Sequence, residues 1–195
     1  MFAKGALKIT ERLVQNQIIP ESDFEIYAFG FESGFAMVTN VIITAIIGFI
    51  LGMPLESLLM LAVFIPLRSC AGGIHASNNM KCLVLSSISV FLVLVAARAA
   101  QDLFSVIFIL AVAIACSAII FALAPVQDAN KPIGKDDARI LKRRTIKVLC
   151  FEIGLFVVLL SFGLIVASLV MTFTLFLVCL SLGFGVLKNY VQKSP

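Results

Sequence analysis

Between Pro66 and Cys82 the chain reads PLRSCAGGIHASNNMKC, which sets a thiol, Cys82, after the protein's only histidine, His75. A thiol attacks a carbonyl as the thiolate. A free cysteine titrates near pH ~8.5, and a neighbouring imidazole or cation brings ionisation towards neutral pH. The stretch therefore predicts a cysteine-nucleophile site, with Cys82 attacking and His75 as its base. On an unbroken helix the two residues would share a face but stand roughly 10 Å apart. Proton transfer needs about 2.6–3.2 Å, or one bridging water. The helix must then break between them. Asn78-Asn79 suits such a turn because Asn tolerates left-handed backbone angles, and Gly72-Gly73 permits the turn that leads in.

Plainer readings exist for each residue. A lone histidine near a membrane surface can be a hydrated interfacial side chain, and a cysteine opening a span can simply pack. Cys70 competes with Cys82 as nucleophile on chemistry alone. Zinc held by Cys70, His75 and Cys82 would lack a fourth ligand and would follow no familiar spacing. No metal is expected, and no cofactor.

The elements that must carry these residues are apolar. Of the 195 residues, 61% are hydrophobic and 13% charged, with mean hydropathy +1.11. Soluble domains run at about 45–50% and about 25%. The composition predicts an all-α polytopic membrane protein forming a single unit over residues 1–195. The N-terminus is mixed and charged, without the early apolar run of a secretory signal. Basic residues punctuate the apolar runs rather than building one groove-sized face, so nucleic acid is excluded as a partner. Five cysteines make an odd count. Cys116, Cys150 and Cys179 lie in apolar runs, where cysteine packs as a small hydrophobe, and no disulfide framework is expected.

Residues 2–19 read as an amphipathic helix, with Phe2, Ala6, Ile9 and Leu13 at helical spacing and Lys4, Lys8 and Arg12 on another face. Such a helix can lie on anionic lipid or pack on the rest of the protein. Residues 1–20 are thus read as an interfacial segment, and 27–187 as the transmembrane bundle. About six spans are expected, over 27–51, 55–67, 82–97, 103–126, 148–166 and 169–187. Two are short: the second would reach only about 20 Å against a hydrocarbon core of about 30 Å. Glu32 reads as a hydrated interfacial carboxylate. The long polar stretch 127–147 reads as a loop, with a short link at Ala167-Ser168. Six spans put both termini on one side, and 14 of the 15 Lys and Arg residues then fall on that side, with Arg98 alone opposite. The positive-inside rule makes that side cytosolic, which is a reducing compartment for the thiols. The thin wall left by two short spans would be shielded by a second copy, so a homodimer is expected.

The pattern Arg68-x3-Gly72-Gly73-x-His75-Ala76-x5-Cys82 resembles the core motif of the AgrB family (accessory gene regulator protein B). Ala124-Pro125 and Lys131-Pro132-Ile133, followed by Lys142-Arg143-Arg144, resemble that family's second motif. The resemblance implies a membrane cysteine endopeptidase of a Gram-positive bacterium that processes a quorum-sensing propeptide, AgrD. It matches His75 and Cys82 to the catalytic pair and leaves Cys70 accessory. It implies cleavage of the propeptide's C-terminal tail, a thioester on Cys82, and closure of a thiolactone or lactone autoinducing peptide. Arg68, Gly72, Gly73, Asn78, Asn79 and Lys131 are the candidates for stabilising the transition state or the substrate. Glu32 or Asp128 could orient His75, and a simple dyad would need neither. The expected site lies at the cytosolic face of the cell membrane. A protease that only hydrolyses and a small peptide transporter or exporter are the rival readings.

Overall fold

The structure, a computed structural model, describes residues 2–73, 79–126 and 134–193. Among them are seven α-helices and no strand: α1 Phe2–Gln15, α2 Phe24–Ile50, α3 Pro54–Ala71, α4 Asn79–Ala100, α5 Val106–Leu123, α6 Lys135–Ser161 and α7 Ile165–Lys193. By length and composition five helices can cross a membrane, namely all but α1 and α6.

Turn chemistry sets where these helices stop. Gly52 takes φ +67 and Pro54 opens α3, where its missing N–H would have no helical partner anyway. The α2–α3 hairpin closes tightly because a Cβ on Gly48 would fall 2.1 Å from Ser57 Oγ. Ser105 caps α5 by accepting a hydrogen bond from the Phe108 N–H at 3.3 Å. Gly163, at φ +71, makes the turn between α6 and α7.

Helix α7 is the central element, packed against α3, α4, α5 and α6. Its Leu169, Val170, Met171, Leu175, Val178 and Leu182 are buried and meet Leu67, Leu94, Ile109 and Ile120 in one apolar core. Around this core most other large apolar side chains of the outer helices are exposed, as lipid-facing helices require. Buried Ser168 and Thr172 sit within α7 because their hydroxyls donate to Leu164 O and Ser168 O.

Several expected boundaries move. The second span is not short: α3 runs through Pro66 and Arg68 to Ala71, 18 residues or about 27 Å. The third, α4, has 22 residues, about 33 Å. Neither helix is as short as expected, and with that the reason for pairing two copies falls away. The link is at Phe162–Leu164, not Ala167-Ser168, which lie inside α7. Much of the expected loop 127–147 is helix: α6 begins at Lys135, with Asp136 and Asp137 in its first turn, where acidic side chains offset the helix dipole.

The bundle has two ends. At one, Arg98 Nη1 donates to Leu51 O at 2.6 Å and closes the last turn of α2. At the other, Gly72 and Val126 form a parallel bridge that joins the ends of α3 and α5. Lys142 of α6 reaches that same end, where Nζ donates to Ala124 O at 2.7 Å and to Phe121 O and lies over the Phe121 ring. Helix α6 therefore runs the full distance between the ends, although its first half is polar. Glu152 lies midway along that run, 3% exposed, and neither carboxylate oxygen has a hydrogen-bond partner.

Helix α1 turns back on α2 through Ala6 and Thr10, both buried, and a Cβ on Gly5 would touch the Phe35 ring at 3.7 Å. Lys4, Lys8 and Arg12 are exposed on its outer face. Ile9, expected on the apolar face, is 38% exposed, and Thr10 takes the buried place because its hydroxyl donates to Ala6 O.

Candidate active site

The last turn of α3 carries Arg68 and Cys70, both half-buried, and ends at Ala71. Gly72 follows at φ +76 and Gly73 at φ +108, both in the region that side chains disfavour. Three backbone bonds tie this turn down. The Gly72 N–H donates to Arg68 O at 3.3 Å, the Gly73 N–H to Val126 O at 3.2 Å, and the Val126 N–H to Ala71 O at 2.9 Å. A Cβ on Gly72 would lie 2.1 Å from Val126 O. A Cβ on Gly73 would lie 2.8 Å from Arg68 Nη1 and 2.9 Å from Ser181 Oγ. Both glycines are thus required twice, by backbone angle and by space.

Cys82 stands exposed in the first turn of α4, which begins at Asn79. His75 and Asn78 fall in 74–78, and Asp128 and Lys131 in 127–133; all four lie outside the described residues, as does the side chain of Asn79. Among the described residues no three His, Cys, Asp or Glu side chains converge on a metal position.

One turn further along α4, Ser86 Oγ lies 2.9 Å from Asn40 Oδ1 and 2.9 Å from Leu83 O, which fixes α4 against α2 below Cys82. Helices α2 and α4 both run away from the site end. Counted back from this contact, half-buried Glu32 on α2 lies about one turn nearer that end than Cys82. Glu32 is engaged in a contact, as are Arg68, Met80, Lys188 and Asn189.

Helix α7 also reaches this turn. Ser181 and Gly185 press directly on the Gly72-Gly73 turn: a Cβ on Gly185 would fall 2.9 Å from Val126 Cγ1 and 3.2 Å from Gly73 Cα. Gly183-x-Gly185, near the end of an otherwise bulky apolar helix, was the one signal that could have pointed there. All five cysteines are free. Cys116 is buried and accepts, through its carbonyl, a hydrogen bond from Cys179 Sγ at 3.2 Å. Cys150 is not packed as expected but faces outward.

The family model described as accessory gene regulator B matches residues 6–188. No curated protein and no solved structure matches the chain.

Proposed function

The chain belongs to the accessory gene regulator B family, and we propose that it is a membrane cysteine endopeptidase and peptide cyclase acting on an AgrD-like propeptide. Family membership and the five apolar helices make it a membrane protein involved in processing the quorum-sensing propeptide. The finer chemistry is our reading of the site.

Cys82 gives its proton to His75 and attacks a carbonyl carbon of the propeptide. As the C–S bond forms and the amide C–N bond breaks, His75 passes the proton to the departing amine of the C-terminal tail. The remaining peptide is held on Cys82 as a thioester. An internal thiol or hydroxyl of the propeptide then attacks that carbonyl, its proton returns the Cys82 thiol, and a thiolactone or lactone ring leaves. Thioester exchange is nearly isoenergetic, so the site must keep water from the acyl group.

The observation that supports this reading most is the exposure of Cys82 on the first turn of α4, at the end where α3, α5 and α7 meet. Arg68, Asn78, Asn79 and Lys131 would add donors or hold the substrate, and the Gly72-Gly73 turn would bring His75 to them. The chain would cross the cell membrane six times, α6 included, with both termini and the site on the cytosolic side. Helix α1 would lie at that interface.

The test is to trap the acyl-enzyme. Full-length protein in nanodiscs, mixed with its propeptide and quenched in acid, should carry the peptide on Cys82 through a hydroxylamine-sensitive bond. A transporter gives no such adduct. A hydrolase gives the adduct but a linear product, and the cyclase gives the ring.

A further inference from the structure

The Gly72-Gly73 turn is seated on α7 at a contact too close for any side chain. Gly185 is buried on α7, and a Cβ there would meet Val126 Cγ1 at 2.9 Å and Gly73 Cα at 3.2 Å. From the other side, a Cβ on Gly73 would meet Ser181 Oγ at 2.9 Å and Ser181 O at 3.1 Å. Val126 is held in turn by its bond to Ala71 O. Three chain segments far apart in sequence therefore meet at one point: the end of α3, the residue after Ala124-Pro125, and the last turns of α7. The point lies two residues before His75. Gly183, two residues earlier on the same helix, faces open space: a Cβ there would meet nothing within 4 Å.

We infer that Gly185 is a positioning residue for the acyl-transfer site, fixing through Gly73 and Val126 where His75 stands relative to Cys82. This rests on the proposed His75–Cys82 pair. A side chain at Gly185 would push the turn off α7 by a few tenths of an ångström or more. Proton transfer is sensitive to such a shift, because the window between donor and acceptor is about 0.6 Å wide.

The test reads Cys82 directly, with iodoacetamide as probe, in full-length protein in nanodiscs with the other four cysteines replaced by alanine. For an unassisted thiol, alkylation rises on the order of a hundredfold from pH 6 to 8.5 as the thiolate fraction grows. A thiol paired with imidazole reacts already at pH 6, so its profile is much flatter. We expect the flat profile in the parent and in Gly183→Ala, and the steep one in His75→Gln. Gly185→Ala should fall towards the steep profile, and Val126→Ala should do so to a smaller extent, because it loosens the same seat from the other side. If His75→Gln keeps the parent profile, the catalytic pair itself is wrong. If His75→Gln is steep but Gly185→Ala matches Gly183→Ala, the pair stands and the positioning role is overturned. Should Gly185→Ala fail to fold, the profile is read on Val126→Ala, which loosens the same junction and leaves α7 intact. A parent profile there overturns the inference equally.

Discussion

A cysteine that attacks a peptide must be reachable by it. Cys82 is exposed at the start of α4, whereas Cys70 is half-buried against the end of α3. Cys82→Ala is therefore expected to abolish propeptide cleavage and Cys70→Ala largely to spare it, measured on purified protein with mass-resolved product. A dead Cys70→Ala beside an active Cys82→Ala would move the nucleophile to α3. For His75, glutamine keeps the polarity and approximate size but cannot take the proton. His75→Gln should slow acylation by about 10²–10⁴-fold while changing propeptide affinity little. The deficit should shrink as pH rises towards the ordinary thiol range, since a growing share of the thiol then ionises unaided. A histidine that merely packs the segment predicts a binding or folding defect with no such recovery, and single-turnover rates across pH separate the two.

At the scale of the helices, the ends of the bundle are fastened by cations on carbonyls. Lys142 closes α5 through Ala124 O and Phe121 O, and Arg98 closes α2 through Leu51 O. These bonds satisfy carbonyls that a helix C-terminus leaves open. Lys142→Met should cost about 1–2 kcal/mol of stability, and Lys142→Arg should restore much of it, read as thermal midpoints in detergent. Glu152 predicts the opposite sign. It is buried at the middle of α6 without a hydrogen-bond partner, and ionisable groups at that depth are unfavourable by about 2.5–3.5 kcal/mol on insertion scales. Glu152→Leu should therefore raise the thermal midpoint, and a lowered one would show that the carboxyl holds the bundle together. Much of this architecture was legible in advance. Long apolar runs located α2 and α5 within a few residues, because a lipid-facing helix needs apolar side chains all round. The α6–α7 junction was misplaced because Ser168 looks like a break in hydropathy. In the helix its hydroxyl is satisfied by Leu164 O, and the break falls at Gly163 instead. At the site, the Gly72-Gly73 turn could be read from its residue types. The seat on Ser181 and Gly185 could not, since a contact between segments so distant in sequence leaves no periodic mark on either.

For the whole molecule the charge distribution bears on the proposed orientation. Among the described residues, 13 of the 14 Lys and Arg residues belong to the end of the bundle that holds the Gly72-Gly73 turn, or to segments opening from it, and Arg98 alone marks the other end. The basic stripe of α1 and the first half of α6 lie with the first group, exposed at Lys8 and Arg144. Such an excess holds an end on the cytosolic side during insertion, where anionic lipid attracts it further. The geometry makes this a test of six crossings against five. Helix α6 is too polar in its first half to qualify by hydropathy, yet Lys142 touches the end of α5 at one face while Ser161 leads into α7 at the other. If α6 crosses, the α6–α7 turn and the α4–α5 turn share the outer face. Single cysteines placed at Lys8, Arg139, Asp102 and Phe162, each in a cysteine-free background, should separate accordingly under a membrane-impermeant maleimide. Asp102→Cys and Phe162→Cys should label in intact cells, and Lys8→Cys and Arg139→Cys only after the membrane is opened. Labelling of Phe162→Cys from the same side as Arg139→Cys would leave α6 outside the membrane and put the α7 seat of the Gly72-Gly73 turn on the wrong face for a cytosolic substrate.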